Sequence, residues 1–262
     1  MASQGPPMIR LLCIIPISTT AMTEDLSRIY KSTPSLQITF IDGHGLVGCP
    51  PCIENHAQAL ESTRALLPRA IDYIHSHTVE GVLVCCFSDH PLVYALRELV
   101  TIPIMGMFQA ALQEATQCDG KFGIVTTARA WEKPLTDSVV NLGFRKYSAG
   151  VMATGLSPLE LESLDREVVI DRITTFSKPL IDSGARSIIL GCAGMTALEG
   201  DILATFPPGI RTVDGVRAGI NILSHLTEET TILETTASCT DDAKGVCVIH
   251  NAKLTSNAEQ VF

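Results

Sequence analysis

Short apolar runs of strand length alternate along this chain with longer stretches in which apolar residues recur at helical spacing. The run Arg10-Leu11-Leu12-Cys13-Ile14-Ile15-Pro16 is apolar at every position after the arginine, as expected of a strand buried on both faces. Ser18-Thr19-Thr20 follow with hydroxyls suited to a helix N-cap, and the pattern places that helix at 21–30. Residues 36–40 read as a second strand. It opens into a glycine- and proline-rich loop over 42–51, long enough to border a site. Residues 53–77 are mostly helical, with Leu60, Leu67, Ile71 and Ile74 near helical spacing. A strand over 82–85, a helix near 91–99, a short strand around 102–105 and a helix over 108–116 complete the first half.

The pattern then restarts. Lys121-Phe122-Gly123-Ile124-Val125-Thr126-Thr127 repeats the basic residue, apolar strand and trailing hydroxyls that begin at Arg10, 111 positions earlier. A helix over 130–141 ends at Gly143, and one long amphipathic helix over 160–183 is closed by Gly184, both in keeping with glycine C-caps. A strand over 187–190 runs into Gly191-Cys192-Ala193-Gly194-Met195, a cysteine turn leading to a helix. Gly81-Val82-Leu83-Val84 followed by Cys85-Cys86-Phe87-Ser88-Asp89 has the same grammar. Cys86 and Cys192 lie 106 positions apart, close to the 111 of the strand repeat, so the chain reads as a duplication of two α/β lobes. A last strand is expected at 210–213, with a helix starting at Asp214.

The expected organisation is residues 8–104 plus 210–226 in a first lobe, 105–209 in a second, and 227–262 as a C-terminal extension. That extension is rich in Thr, Ser and Asp and reads as partly disordered, with 246–249 a candidate edge strand. Strands alternating with helices imply a mostly parallel sheet in each lobe. Sites in such sheets form at the carboxyl ends of strands, where Ser18, Thr19, Cys86, Thr126, Thr127 and Cys192 all fall.

Composition narrows the function. With 262 residues, 46% of them hydrophobic, the chain has ample material for a full core. A net charge of −9 excludes a basic nucleic-acid footprint and a polybasic membrane patch. No apolar run reaches the roughly 18 residues of a membrane helix, and the first residues lack a signal-type pattern. The nine cysteines are odd in number, and several sit in apolar runs, which points to reduced thiols in a cytoplasmic protein.

Two thiols at matching places suggest a chemistry. A thiolate at a helix start is stabilised by the macrodipole, and its pKa can fall from about 8.5 toward neutrality. With a thiolate on one face of a carbon acid and a thiol on the other, one removes a proton and the other returns one, inverting the centre. Neighbouring backbone N–H groups can hold the oxygens that gain charge, and neither metal nor organic cofactor is needed. Cys85, beside Cys86, points to the opposite side by strand alternation and reads as structural. Cys49-Pro50-Pro51-Cys52 is a C-x-x-C without a second pair or histidine cluster, so it reads as a loop bordering the pocket rather than a zinc or redox site. His90 reads as a surface or helix-start residue, and Gly43-His44-Gly45 as a solvent-facing loop.

Cys86-Phe87-Ser88-Asp89 with Leu92 and Arg97-Glu98, and Leu190-Gly191-Cys192-Ala193-Gly194-Met195, resemble the hydantoin/allantoin racemase branch of the Asp/Glu racemase superfamily. The variant Cys-Phe-Ser-Asp-His-Pro-Leu-Val resembles its fungal members. Pro51-Cys52-Ile53-Glu54, residues 122–127 and Val213-Asp214-Gly215-Val216 extend the resemblance over about residues 8–225. It implies two pseudo-symmetric lobes, each a mostly parallel sheet flanked by helices, with the active site in the cleft between them. It also implies cofactor-independent racemisation by Cys86 and Cys192. Around them, Ile15, Ile17, Ser18, Phe87, Ser88, Thr126, Thr127, Ala193 and Gly194 are the expected substrate-binding residues. The expectation is a cytoplasmic homo-oligomer that acts on a small hydantoin- or ureide-like carbon acid, without metal, nucleic-acid or membrane partners. One departure stands out. The family's first strand ends in Asn-Pro-Asn, whereas this chain has Ile15-Pro16-Ile17. A pocket without those amides leaves buried substrate polar groups unpaired, at about 1–3 kcal/mol each. The alternative is therefore that fold and cysteines serve another isomerase, decarboxylase or lyase reaction on a less polar metabolite.

Overall fold

The apolar runs pair as parallel strands in two sheets of the same design. The computed structural model describes residues 8–117 and 119–238, with side chains through Thr227. In the first sheet β1 (Ile9–Ile15) lies between β2 (Leu36–Asp42) and β3 (Gly81–Val84), and β4 (Ile104–Gly106) follows β3. In the second, β5 (Lys121–Thr126) lies between β6 (Ser148–Ala153) and β7 (Ala185–Gly191), and β8 (Arg211–Asp214) follows β7. The orders β2-β1-β3-β4 and β6-β5-β7-β8 are the same order repeated, as a duplication requires, and every pairing is parallel. Val82, Leu83 and Val84 of β3, and Ile188 and Ile189 of β7, are wholly buried, as central strands covered on both faces must be.

Helices α1 (Ala21–Ile29), α2 (His56–Ser76) and α3 (Pro91–Leu99) cover the first sheet, and their starts follow from local chemistry. The Asn55 side chain accepts from the Gln58 N–H at 3.0 Å, and Gln58 Oε1 accepts from the Glu54 N–H at 2.7 Å. Pro91 opens α3, and His90 Nδ1 accepts from the Leu92 N–H at 3.2 Å. Helix α4 (Met107–Thr116) buries Met107, Phe108, Ala110, Ala111, Leu112 and Ala115. Its apolar surface extends nearly all round because strands of both sheets pack on it, and one core joins Leu11 and Leu83 to Ile124, Ile189 and Val213.

The structure departs from the sequence expectations at five places. β6 was not foreseen. The helix expected over 160–183 is two, α6 (Pro158–Ser163) and α7 (Arg166–Asp182), because Leu164 is extended (φ −83°, ψ 159°). A 3₁₀ turn, Arg129–Trp131, precedes α5 (Glu132–Asn141), and another, Ala193–Leu198, separates Cys192 from α8 (Glu199–Thr205). Residues 211–214, expected in the first lobe, hydrogen-bond to β7 in the second sheet. The helix that follows, α9 (Gly215–Ser238), does return to the first sheet: a Cβ on Gly219 would lie 2.3 Å from Leu83 Cδ1. Finally, α9 runs through Ser238, into the stretch from 227 expected as a partly disordered extension, while the candidate strand at 246–249 lies outside the described residues. Among the described residues no helix is long and apolar enough to cross a membrane.

Candidate active site

Both cysteines leave the sheets at the same point of the repeat. The Cys85 N–H still donates to the Ile14 carbonyl (2.8 Å), and Cys86 comes next. Cys192 directly follows the last residue of β7. Gly191 makes that exit possible, since a Cβ there would lie 2.6 Å from the Val125 carbonyl oxygen. Thr126 Oγ1 donates to the Gly191 carbonyl at 2.9 Å and locks the turn against β5.

Cys86 and Cys192 line one cavity, open on one side, in which the centre of a water molecule has about 50 Å³ to move. Of the predicted site residues, Ile15, Ile17, Phe87, Thr126, Thr127 and Ala193 line it as well. Ser18, Ser88 and Gly194 do not. The Ser18 N–H donates to the Pro50 carbonyl (2.9 Å) and Thr19 Oγ1 to that of Pro51 (3.2 Å), so these residues tie down the neighbouring loop. Ser88 and Gly194 instead touch the sulfurs. Ser88 Oγ is 3.5 Å from Cys86 Sγ, and the Gly194 N–H donates to the Cys192 sulfur. Asp89 faces away, its Oδ1 accepting from Tyr94 Oη (2.6 Å) and Gln109 Nε2 (3.3 Å). Cys85 borders the cavity, but its sulfur hydrogen-bonds with Cys13 in the core, and that contact together with burial holds it well above the ordinary thiol range.

Sequence reasoning missed several walls. Met22, Ile53 and Trp131 line the cavity, whereas Cys52, the buried member of the C-x-x-C loop, lines it as expected of a loop bordering the pocket. Trp131 is the chain's single tryptophan and stands just past Thr126-Thr127, a position that strand-end logic singles out once noticed. The polar lining is sparse. The Thr126 hydroxyl is spent on Gly191, while that of Thr127 makes no hydrogen bond among the described residues. Six of the nine cysteines are described, all as free thiols, and among the described residues no cluster of three His, Cys, Asp or Glu could hold a metal.

The electrostatics run opposite to the expected lowering. Burial pushes Cys86 up to about 12, with the Ser88 hydrogen bond opposing and the nearby Cys192 adding to the rise. Burial pushes Cys192 up to about 11, with the Gly194 N–H opposing and Glu162 adding. Cys86 has no helix start beside it, because α3 begins at Pro91, and Cys192 heads only a short 3₁₀ turn. The apolar walls therefore dominate. His90 stands at a helix start, one of the two places expected for it, and is buried rather than exposed. Its Nδ1 caps α3, its Nε2 has no partner among the described residues, and burial lowers its pKa to about 3.

The family model for Asp/Glu/hydantoin racemases matches residues 11–223. An uncharacterized protein of Schizosaccharomyces pombe is 36% identical over 227 residues, covering 84% of this chain and 92% of its own. A hydantoin racemase of a Pseudomonas species is 26% identical over 224 residues, covering 84% and 86%. Among solved structures, allantoin racemase from Klebsiella pneumoniae is similar with a TM-score of 0.76 at 25% identity, over 85% of this chain and 89% of that one. With its two sheets of one design, the chain belongs to the Asp/Glu/hydantoin racemase family, on the hydantoin/allantoin branch, and is an isomerase of the racemase class.

Proposed function

We propose that this protein inverts a stereocentre next to a carbonyl in a small hydantoin-like carbon acid, with Cys86 and Cys192 as its two acid/base groups and no cofactor. The observation that carries this is the shared cavity: one thiol at the end of β3 and its counterpart at the end of β7, with Cys192 close enough to raise Cys86 further. One thiolate takes the proton from one face of the substrate, and its C–H electron pair passes to the adjacent carbonyl as an enolate. The opposite thiol then gives its proton to the other face, and the charge ends on that sulfur. The next turnover runs in reverse, so no net proton is consumed. The N–H groups of Phe87 and Ala193, each one residue past a cysteine on the cavity wall, have no backbone partner among the described residues and suit the enolate oxygen. The Thr127 hydroxyl is placed to hold a second polar group. The working protein is taken to be a cytoplasmic homo-oligomer.

The test is exchange of the α-hydrogen of 5-benzylhydantoin in deuterated water, followed by chiral chromatography. Wild type should exchange and racemise, and Cys86→Ser or Cys192→Ser should lose racemisation by at least about 100-fold, the scale of one positioned acid or base. Full activity in both variants would refute the mechanism.

The apolar wall of Ile15, Ile17, Met22 and Trp131 favours a second reading, in which the same thiols serve another isomerase, decarboxylase or lyase reaction on a less polar metabolite. The two readings part on substrate: under the second, neither hydantoins nor allantoin turn over, and an apolar malonate-type acid does.

A further inference from the structure

Trp131 belongs to the second lobe's chain but meets the first. It lies in the 3₁₀ turn after β5, is 4% exposed and lines the cavity. Its indole Nε1–H donates to the Ile53 carbonyl at 3.4 Å, and its ring meets the exposed His56 edge-on with centroids 5.2 Å apart. Ile53 ends the loop that carries Cys52, and both residues line the cavity. That loop is fastened elsewhere by its Pro50 and Pro51 carbonyls to Ser18 and Thr19, and beyond Ile53 by the reciprocal capping around Asn55 and Gln58. The Ile53 carbonyl between these two anchorages is the point where the loop is held to the second lobe.

We propose that Trp131 is a positioning residue: through Ile53 it sets the loop that forms the apolar wall, and so the place where the substrate's apolar substituent packs. The substrate half of this inference rests on the racemase reading, while the loop half does not. At 3.4 Å the bond is long, and its net worth is a factor of about five.

The test uses the full chain, with Trp131→Phe keeping an aromatic ring while removing the donor, and His56→Ala, an exposed change, removing the edge contact. At pH 9, iodoacetamide should alkylate Cys52, Cys86 and Cys192 about fivefold faster in Trp131→Phe than in wild type, and to a smaller extent faster in His56→Ala, while Cys13 and Cys85 stay protected. KM for 5-benzylhydantoin should rise by the same factor, with a smaller fall in kcat. In wild type the emission of this single tryptophan should shift saturably as the hydantoin binds. Unchanged alkylation in both variants overturns the proposal, and so does unshifted emission at a hydantoin concentration that saturates turnover. If Trp131→Phe does not fold, His56→Ala and the wild-type emission decide. If wild type turns over no hydantoin, the racemase reading fails and the alkylation rates alone decide the role of Trp131.

Discussion

At the scale of single residues, the proposed mechanism makes the two thiols set the pH dependence of the reaction. With Cys192 raised to about 11 and Cys86 to about 12, both by burial, the cavity holds two protonated thiols at neutral pH. The first proton comes off the pair more readily at Cys192, and the charge left behind makes the second loss harder, so a thiolate facing a thiol exists over a wide pH range. The rate kcat/KM should climb about tenfold per pH unit above neutrality and fall only where the second thiol ionises and no acid remains. A profile flat from pH 6 to 9 would count against the thiol pair. His90 carries a second titration. Burial keeps it neutral in the folded protein down to about 3, against 6.5 for an ordinary histidine. Between those values the unfolded chain binds the extra proton, so stability falls as the pH drops from about 6.5 toward 3 and is unaffected by this group above that window. His90→Asn keeps an N-cap acceptor and removes the ring. The pH slope of the unfolding free energy, from urea melts, should flatten by up to one proton between pH 6.5 and 3. The sequence showed both cysteines because each ends an apolar run, and it read His90 as a surface or helix-start residue, of which the helix start holds and the exposure does not. A histidine beside Asp89 and Pro91 looks like a polar turn, and only the packing around α3 reveals its burial.

Among the elements, the duplicated strands were legible because central parallel strands read as unbroken apolar runs. β6 was not, since Ser148–Ala153 is an edge strand, half-buried for most of its length, with Gly150 at φ 129°, and so lacks a sharp apolar signal. The break between α6 and α7 was hidden by amphipathic spacing that continues across it. What interrupts the helix is backbone conformation at Leu164, after a capping box at Ser157 and Glu160 has started a separate short helix. The same scale explains the glycine before Cys192. Gly191→Ala would drive a methyl group to 2.6 Å from the Val125 carbonyl, against backbone that cannot yield, so β5 and β7 must part. The expected loss is about 1–3 kcal/mol of stability, the usual range for overpacking. The Cys192 turn should shift with it, so thermal unfolding and racemisation should both suffer. Gly184→Ala is a different control. Nothing lies within 4 Å of its Cβ position, but its φ of 95° strains an alanine, so it should lower stability through the backbone and spare the rate.

On the scale of the whole molecule, two α/β lobes and a cleft with a cysteine on each side could be read from the chain, but how tightly the lobes are fused could not. The assignment of 210–226 to the first lobe failed at β8 because a strand and the helix after it divide their allegiance, β8 pairing with β7 and α9 packing on β3. Only pairing register separates the two, and register is not written in a four-residue run. The crossing point is also a polar junction. Buried Asp214, at the end of β8, accepts from the Val216 N–H (2.7 Å) and from Tyr30 Oη (2.8 Å), the tyrosine that follows α1 in the first lobe. Arg217 in turn donates to Glu199 at 2.8 Å. Each lobe has an apolar cluster of its own, but the larger core around α4, which lies between strands of both sheets, is shared by the two. The described unit should therefore unfold in one transition, with Trp131 emission and far-ultraviolet circular dichroism falling together in urea. Tyr30→Phe tests the coupling. It leaves a carboxylate oxygen of Asp214 buried without its hydroxyl donor, which costs about 1–3 kcal/mol. Because that bond joins the lobes, the loss should lower the single midpoint for both probes equally. Two separated midpoints in the variant would mean that the lobes hold together through the Tyr30–Asp214 contact and not through the shared core around α4.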